Sequence, residues 1–96
     1  MAPRIQPGDG KQWGTSLQGY VTATIEELNA AFPGCFIGSG DKTTHEWVVL
    51  IDDEVVTVYD YKWEAVPGVA EEFHVGGGRG AIEALRKVFP NARPWR

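Results

Sequence analysis

The chain has few of the residues that cross-link small proteins or bind metals. Only one of its 96 residues is cysteine, so an internal disulfide is excluded. Only two residues are histidine. The cysteine, Cys35, stands between Gly34 and Phe36, a setting that favours a buried structural thiol over a nucleophile. Such sparse use of cysteine suits a reducing compartment.

Long apolar segments and a leader pattern are also missing. No run of residues approaches the roughly 20 apolar positions of a membrane span. The N-terminal region lacks the charged start, apolar block and cleavage site of a signal peptide. We therefore expect no membrane partner and a cytoplasmic location.

The sequence carries no excess of basic charge. Its 13 acidic residues outnumber nine basic ones, and the formal net charge is -4, so nucleic acid is not an expected partner. The hydrophobic share of 43% is that of an ordinary globular protein. Because 96 residues build one small core, self-association is a common further source of stability, and we expect a homo-oligomer.

The residues that are present divide the chain into three parts. Residues 1–19 are rich in Gly, Pro and Gln without periodicity, which predicts a flexible N-terminal arm or an extension along the domain edge. Its Trp13 either docks back onto the domain, the favoured alternative, or contacts a partner. Residues 20–90 form the predicted single domain. Residues 91–96 form a C-terminal tail that carries Trp95.

The domain begins with a capping box, the pattern that starts many helices. The Thr24 hydroxyl can accept a hydrogen bond from the Glu27 backbone, and the Glu27 side chain can reach back to the Thr24 N–H. Ile25, Leu28 and Phe32 then share one face at helical spacing, and a Pro-Gly pair follows. The pattern predicts a short amphipathic helix.

Three strands are predicted after this helix. Residues 44–51 and 55–62 are rich in β-branched and aromatic residues, and the acidic turn Asp52-Asp53-Glu54 joins them into a hairpin. Residues 71–75 form a third strand, and a second helix begins near Ala81. The predicted fold is α+β, with a small antiparallel sheet of about three strands packed with two α-helices. We expect the three acidic side chains of this turn to be solvated and not to bind a metal, because the spacing of their carboxylates matches no known metal-binding loop.

The run Gly76-Gly77-Gly78-Arg79 before the second helix has two interpretations. Its backbone N–H groups and the start of a helix suit a phosphate or another anion, which Arg79 would also bind. Alternatively, the glycines only permit a tight reversal of the chain. The run is neither a Walker loop nor a complete dinucleotide fingerprint, since the Gly-Lys-Ser/Thr sequence and the second half of the dinucleotide fold are missing.

The two histidines, His45 and His74, lie on predicted strands. A paired-histidine phosphoesterase needs a hydroxyl residue two positions after each histidine, whereas Trp47 and Gly76 stand there. No serine lies in a nucleophile-elbow sequence either. We therefore expect a protein without enzymatic activity, and a small phosphodiesterase is the least favoured alternative.

Aromatic residues concentrate in the hairpin, at Trp47, Tyr59, Tyr61 and Trp63. Cross-strand aromatic pairs stabilise sheets, so part of this group belongs to the core. Rings beside lysine or arginine also suit a nucleobase with its phosphate. The same surface suits a protein partner, because Tyr, Trp and Arg dominate binding energies at interfaces.

Several segments together resemble a group of small accessory proteins of tailed phages. These segments are Gly40-Asp41-Lys42-Thr43-Thr44, Glu46-Trp47, Val56-Thr57-Val58-Tyr59-Asp60-Tyr61-Lys62 and Phe73-His74-Val75-Gly76-Gly77. The resemblance covers residues 22–89 and departs from the pattern at Gly78, where a polar residue is expected. The shared positions are Lys42, Thr43, Glu46, Trp47, Thr57, Tyr59, Asp60, Tyr61, Lys62, His74, Gly76 and Gly77.

The resemblance implies a phage-encoded, non-enzymatic binding protein that acts in the host cytoplasm and counters host defence. It would sequester a nucleotide-like or phosphate-bearing signal or, alternatively, inhibit a host protein. No cofactor and no metal are expected. Aromatic rings would wall the ligand, cations would meet its phosphate, and His74 would fix its orientation. The predicted ligand-binding residues are Lys42, Thr43, Trp47, Tyr59, Tyr61, Lys62, His74, Gly76, Gly77, Gly78 and Arg79.

Overall fold

The computed structural model describes residues 2–8, 16–38, 45–61 and 63–95, which form one antiparallel sheet with two short helices. The strand order is β1-β3-β4-β5-β2-β6. The elements are β1 (Ile5–Pro7), β2 (Ser16–Ala23), α1 (Ile25–Ala31), β3 (Glu46–Ile51), β4 (Glu54–Tyr59), β5 (Glu71–Gly77), α2 (Ala81–Arg86) and β6 (Arg93–Pro94).

The prediction of about three strands packed with two helices is wrong, because the described sheet has six strands. The hairpin and the third strand were predicted, whereas β1, β2 and β6 were not. In β2 an inward position is held by Gly19, where an added Cβ would lie 2.0 Å from the Arg93 carbonyl oxygen and 2.8 Å from Ile82 Cδ1. Since close packing demands a glycine there, the apolar alternation that marks a strand is confined to the end of β2, at Val21 and Ala23.

Part of the predicted arm and tail belongs to the sheet. Strand β1 and the first residues of β2 lie within residues 1–19, and β6 lies within residues 91–96. Short strands that contain proline give little sequence signal, which explains why β1 and β6 read as irregular segments. Trp13 lies outside the described residues.

Both edges of the described sheet are short and contain a proline, Pro7 in β1 and Pro94 in β6. On the side of β2 that pairs with β6, the Asn91 side chain bonds to the backbone of Thr22 as a neighbouring strand would. Its Nδ2 donates to the Thr22 carbonyl oxygen at 3.0 Å, and its Oδ1 accepts from the Thr22 N–H at 2.9 Å. Such edges disfavour strand pairing between copies, and the homo-oligomer stays a prediction.

The predicted hairpin is confirmed. Strands β3 and β4 pair in register from Glu46 opposite Tyr59 to Ile51 opposite Glu54. The two turn residues, Asp52 and Asp53, have φ values of 50° and 70°. Positive φ at both central positions is the geometry that matches the right-handed twist of paired strands.

The acidic turn is neutralised by basic residues of the same chain. Lys87 Nζ donates to Asp52 Oδ2 at 2.8 Å, and the Arg4 backbone N–H donates to Asp52 Oδ1 at 2.8 Å. The Arg4 guanidinium pairs with Asp53 at 2.7 Å. Within the described part of the chain no group of three or more His, Cys, Asp or Glu side chains is placed to hold a metal ion.

The capping box of α1 is confirmed. Thr24 Oγ1 accepts from the Glu27 N–H at 3.0 Å, and Glu27 Oε1 accepts from the Thr24 N–H at 2.9 Å. Ile25 and Leu28 are buried, as the helical spacing predicts. The thiol of Cys35 is buried too.

The core lies between one face of the sheet and the two helices. The opposite face carries neither α1 nor α2, and we call it the open face. Alternation along each strand decides which residues reach which face. The largest buried side chains on the core side are Trp47, Val49, Ile51, Val56, Val58, Phe73, Val75 and Val21, packed with Leu28, Phe32 and Leu85.

The second helix also presents the predicted apolar face. Ile82 and Leu85 are buried on α2, whereas Val88 and Phe89 lie beyond its end at Arg86 and pack against the core partly exposed. In the described ranges, neither helix has the length and apolar composition that crossing a bilayer requires.

Candidate functional site: an aromatic row on the open face

Five directly paired residues form a line across five strands of the open face. Glu46 lies opposite Tyr59, Tyr59 opposite His74, His74 opposite Tyr20, and Tyr20 opposite Arg93. Their chain neighbours point to the core, so all five belong to the other face. We call this line the cross-strand row. It is acidic at one end, aromatic in the middle and basic at the other end.

His74 is surrounded by three tyrosines. Its ring centroid lies 5.3 Å from that of Tyr20 at 87°, and 5.6 Å from that of Tyr59 at 63°. Tyr61, just beyond β4, contributes a third ring at 5.7 Å and 31°. Edge-to-face contacts at these separations are favoured by the ring quadrupoles.

Burial sets the protonation states in the middle of the row. Desolvation lowers the pKa of His74 below its ordinary value of 6.5, so the imidazole is neutral near pH 7 and offers one donor and one acceptor. Desolvation, followed by the charge of Glu46, raises the pKa of Tyr59, whose phenol stays protonated.

The acidic end of the row is a desolvated carboxylate. Burial raises the pKa of Glu46 above its ordinary value of 4.5. Desolvation is the one cause of this shift, and no described group donates a hydrogen bond to the Glu46 carboxylate. A carboxylate that has lost water without gaining donors is stabilised by any ligand that supplies them.

The basic end of the row is an arginine that contacts a ring. The Arg93 guanidinium carbon lies 4.9 Å from the centroid of Tyr20, a cation–π geometry. Arg93 also forms an ion pair with Glu72, and both side chains are about half exposed, at 54% and 50%. Exposed ion pairs of this kind are weak, so a stronger anion can displace the carboxylate.

Gly76 keeps the surface beside the row flat. It lies on β5 opposite Thr57, and an added Cβ would approach Thr57 Oγ1 to 2.6 Å and Tyr59 Cε1 to 3.5 Å. Glycine inside a strand commonly marks such a close approach. The predicted site residue Gly76 therefore has a packing role next to the tyrosines.

The rest of the glycine run is explained by the chain itself. Gly77 has a φ of 141°, and an added Cβ would lie 2.4 Å from the Val55 carbonyl oxygen. Cβ atoms on Gly78 and Gly80 would lie 3.1 Å and 2.6 Å from the carboxylate oxygens of Glu54. An internal carboxylate thus lies on the loop at the start of α2, where the sequence predicts an external anion.

The structure brings some of the predicted site residues together and separates others. Tyr59, Tyr61, His74 and Gly76 meet on the open face. Gly77, Gly78 and the exposed Arg79 lie at the end of β5, towards α2. Lys42, Thr43 and Lys62 lie outside the described residues.

Trp47 is not part of the surface. It is fully buried on the core face, and its indole Nε1–H donates to Asn29 Oδ1 at 2.8 Å. Its ring packs edge-on against Phe73 at 5.8 Å. Trp63, the other tryptophan of the hairpin group, packs on the same Phe73 at 5.6 Å. The two tryptophans therefore stabilise the core.

Sequence reasoning missed Tyr20, Arg93 and Glu72, and did not assign Glu46 to the ligand. The available signal for Tyr20 was the alternation in β2, where Tyr20 and Thr22 face outward and Val21 and Ala23 inward. No local pattern pairs Arg93 with Tyr20, since 73 positions of sequence separate them.

The other histidine lies on the opposite side of the sheet. His45 Nδ1 lies 2.9 Å from Oδ2 of the fully buried Asp60, whose Oδ1 accepts from the His45 backbone N–H at 2.8 Å. The His45 ring stacks with that of Trp47 at 6.2 Å and 15°. Because Trp47 faces the core and His74 the open face, the two histidines do not converge on one site.

Comparison with known proteins adds no assignment. No family model, curated protein or solved structure matches this chain. The resemblance to phage accessory proteins stays a prediction.

Proposed function

We propose that this protein is a non-catalytic binding protein that holds a nucleotide-like, phosphate-bearing ligand on its open face. The observation that carries the proposal is the position of His74, with Tyr20 and Tyr59 directly paired on either side and Arg93 over the outer ring. Flat rings and a cation within one row are the two elements that a nucleotide requires.

Stacking supplies the affinity for the base. The rings in the middle of the open face are all partly exposed, namely those of Tyr20, Tyr59, Tyr61 and His74. Cross-strand pairing explains why the rings touch one another, and a stacked ligand explains why they remain accessible. Base–aromatic stacking contributes about 1–3 kcal/mol per base, which suits a reversible binder.

The phosphate is assigned to Arg93 and not to the glycine run. Among the described residues, Arg93 is the cation that contacts a ring of the row. The Glu54 carboxylate lies on the glycine run and would repel an anion there. Arg79 is exposed at that same end of β5 and serves as the natural comparison.

The proposal does not include turnover. The rings that contact His74 belong to Tyr20, Tyr59 and Tyr61, and we assign them to stacking on the ligand, so no proton-transfer step is given to His74. The neutral imidazole is assigned to hydrogen bonding with the ligand. The role in countering host defence depends on the phage resemblance alone.

A protein partner is the second candidate, and Trp95 favours it. The Trp95 side chain is 47% exposed, and its backbone N–H donates to the Gln18 carbonyl oxygen at 3.2 Å, next to Arg93 and Pro94 of β6. An exposed tryptophan that follows an arginine, on a strand paired with that of Tyr20, has the composition of many binding hot spots. In that case the row would block a host protein without a small ligand.

Native mass spectrometry tests the proposal. The purified chain is incubated with a panel of linear and cyclic nucleotides, and adducts of unchanged ligand mass are expected. Arg93→Ala should lose the adduct, whereas Arg79→Ala should keep it. If only Arg79→Ala loses the adduct, the phosphate binds at the glycine run and not at Arg93. A chain that binds no nucleotide but captures a host protein through Trp95 would favour the second candidate.

A further inference from the structure

The polarity of the cross-strand row defines an orientation for the ligand. Glu46 at one end only accepts hydrogen bonds when ionised, and Arg93 at the other end only donates them. Both ends lie on the same face and in one line through Tyr59, His74 and Tyr20. A ligand on the row therefore meets an acceptor at one end and a cation at the other.

The span between the two ends suits a mononucleotide. The Arg93 guanidinium lies over Tyr20 of β2, and Glu46 is on β3. From β2 to β3 the row crosses β5 and β4, which makes three strand spacings, about 14 Å at about 4.8 Å each.

We propose that the ligand lies across the strands with its phosphate at Arg93 and an amino-bearing edge of its base at Glu46. This inference rests on the proposed function and specifies its ligand. The class is a nucleotide whose base carries an exocyclic amino group, as cytosine, adenine and guanine do, and not one with a carbonyl oxygen at that position.

The chemistry of Glu46 carries this selectivity. The carboxylate lies at the end of the row opposite Tyr59, is partly desolvated and accepts from no described donor, so an amino group restores the hydrogen bonds that burial removed. A carbonyl oxygen in the same place puts two acceptors against each other. Sites built to pair a polar group reject analogues that leave it unpaired.

Glu72 then acts as an internal competitor for the phosphate. Its carboxylate holds Arg93 in the free protein, and the phosphate must replace it. Removing this charge should tighten binding by up to about fivefold, the value of an exposed ion pair. The matched control is Glu83, which pairs with Arg86 on α2 at 2.8 Å, on the core side of the sheet.

Calorimetric titration with two matched ligands tests the inference. Cytidine and uridine 5′-monophosphate differ at position 4 of the base, where one has an amino group and the other a carbonyl. The wild type should bind the cytidine nucleotide about tenfold more tightly. Glu46→Gln, whose amide both donates and accepts, should bind the two equally. Glu72→Gln should tighten both, and Glu83→Gln should leave both unchanged.

The outcomes separate this inference from the function on which it rests. Equal binding of both nucleotides by the wild type, or the same preference in Glu46→Gln, overturns the orientation while leaving the binding function in place. An unchanged affinity in Arg93→Ala overturns the assignment of the phosphate to Arg93, and an unchanged affinity in Glu72→Gln overturns the competition by Glu72. If neither these two nor adenosine 5′-monophosphate binds the wild type, both the function and the inference fail. Circular dichroism of each variant confirms that it is folded.

Discussion

The rings of His74 and Tyr20 meet edge to face at 5.3 Å and 87°, from directly opposed positions of β5 and β2. The two residues are 54 positions apart in the chain, so only the folded sheet creates the pair. On the other side of His74, Tyr59 makes the matching contact at 5.6 Å. The histidine is therefore the centre of the open face, and its protonation state affects both stability and binding.

The free energy of unfolding should fall as the pH drops below the ordinary pKa of histidine. Burial lowers the pKa of His74 from 6.5, so between the folded and unfolded values the unfolded chain binds more protons. The stabilisation from the neutral ring is thus complete above about pH 6.5 and is lost as the pH falls through that window. Denaturant unfolding from about pH 8 to pH 5 should show this loss.

The control for this experiment is His74→Gln, which removes the titration and keeps a polar side chain. His45 is present in both proteins, so its contribution cancels in the difference. The slope of stability against pH should be smaller in the variant. Equal slopes would mean that His74 titrates alike in the folded and unfolded states.

Asp52 should stabilise the fold in its ionised form. The hydrogen bond from Lys87 and that from the Arg4 backbone lower the pKa of Asp52 below 3.8. Its contribution is therefore present above the unfolded pKa and is lost as the pH falls through the lower folded value. Asp52→Asn keeps a residue that tolerates the φ of 50° and removes the charge. The variant should have a lower Tm near pH 7, and its Tm should change less than that of the wild type as the pH is lowered.

Alanine substitutions should separate the roles within the glycine run. Gly77→Ala forces a Cβ against the Val55 carbonyl oxygen at a φ of 141°, and should cost about 2 kcal/mol or more of unfolding free energy. In Gly78→Ala the added Cβ meets only the end of the flexible Glu54 side chain, so the cost should stay within about 0.5 kcal/mol. A large loss in both variants would contradict this division. Chemical denaturation measures both.

The contact between Asn29 and Trp47 should be worth about 1 kcal/mol, the usual net value of one hydrogen bond. Asn29→Ala leaves the indole N–H of a fully buried tryptophan without its partner. Asn29→Asp keeps an acceptor oxygen and should retain most of the stability. Tryptophan fluorescence during denaturation reports the result, and identical midpoints for wild type and Asn29→Ala would show that water replaces the partner.

Local patterns were enough to predict the elements whose partners are close in sequence. The capping box at Thr24 set the start of α1, and the hairpin followed from two alternating runs around Asp52 and Asp53. The start of β2 was not predictable in this way, because Gly19 lets the β6 backbone and Ile82 approach. Packing at this position requires a residue without a side chain. Because glycine has a low β propensity, the sequence pattern there indicates a loop.

The candidate site was predictable in part for the same reason. The concentration of aromatic residues in the hairpin made Tyr59 a candidate, His74 was one of only two histidines, and the structure puts the two residues side by side. Trp47 was assigned to the same surface, but the period of two places it on the core face of β3. Tyr20 and Arg93 join the row only through the pairing of β2 with β5 and β6, which sequence-local patterns do not encode.

The most direct test of the central claim is an NMR titration of the aromatic side chains with cytidine 5′-monophosphate. If the open face binds the nucleotide, the ring signals of Tyr20, Tyr59, Tyr61 and His74 should shift together and saturate, while those of the buried Trp47 stay in place. Ring signals that remain unchanged at saturating nucleotide, or shifts confined to residues 77–80 at the start of α2, would contradict it.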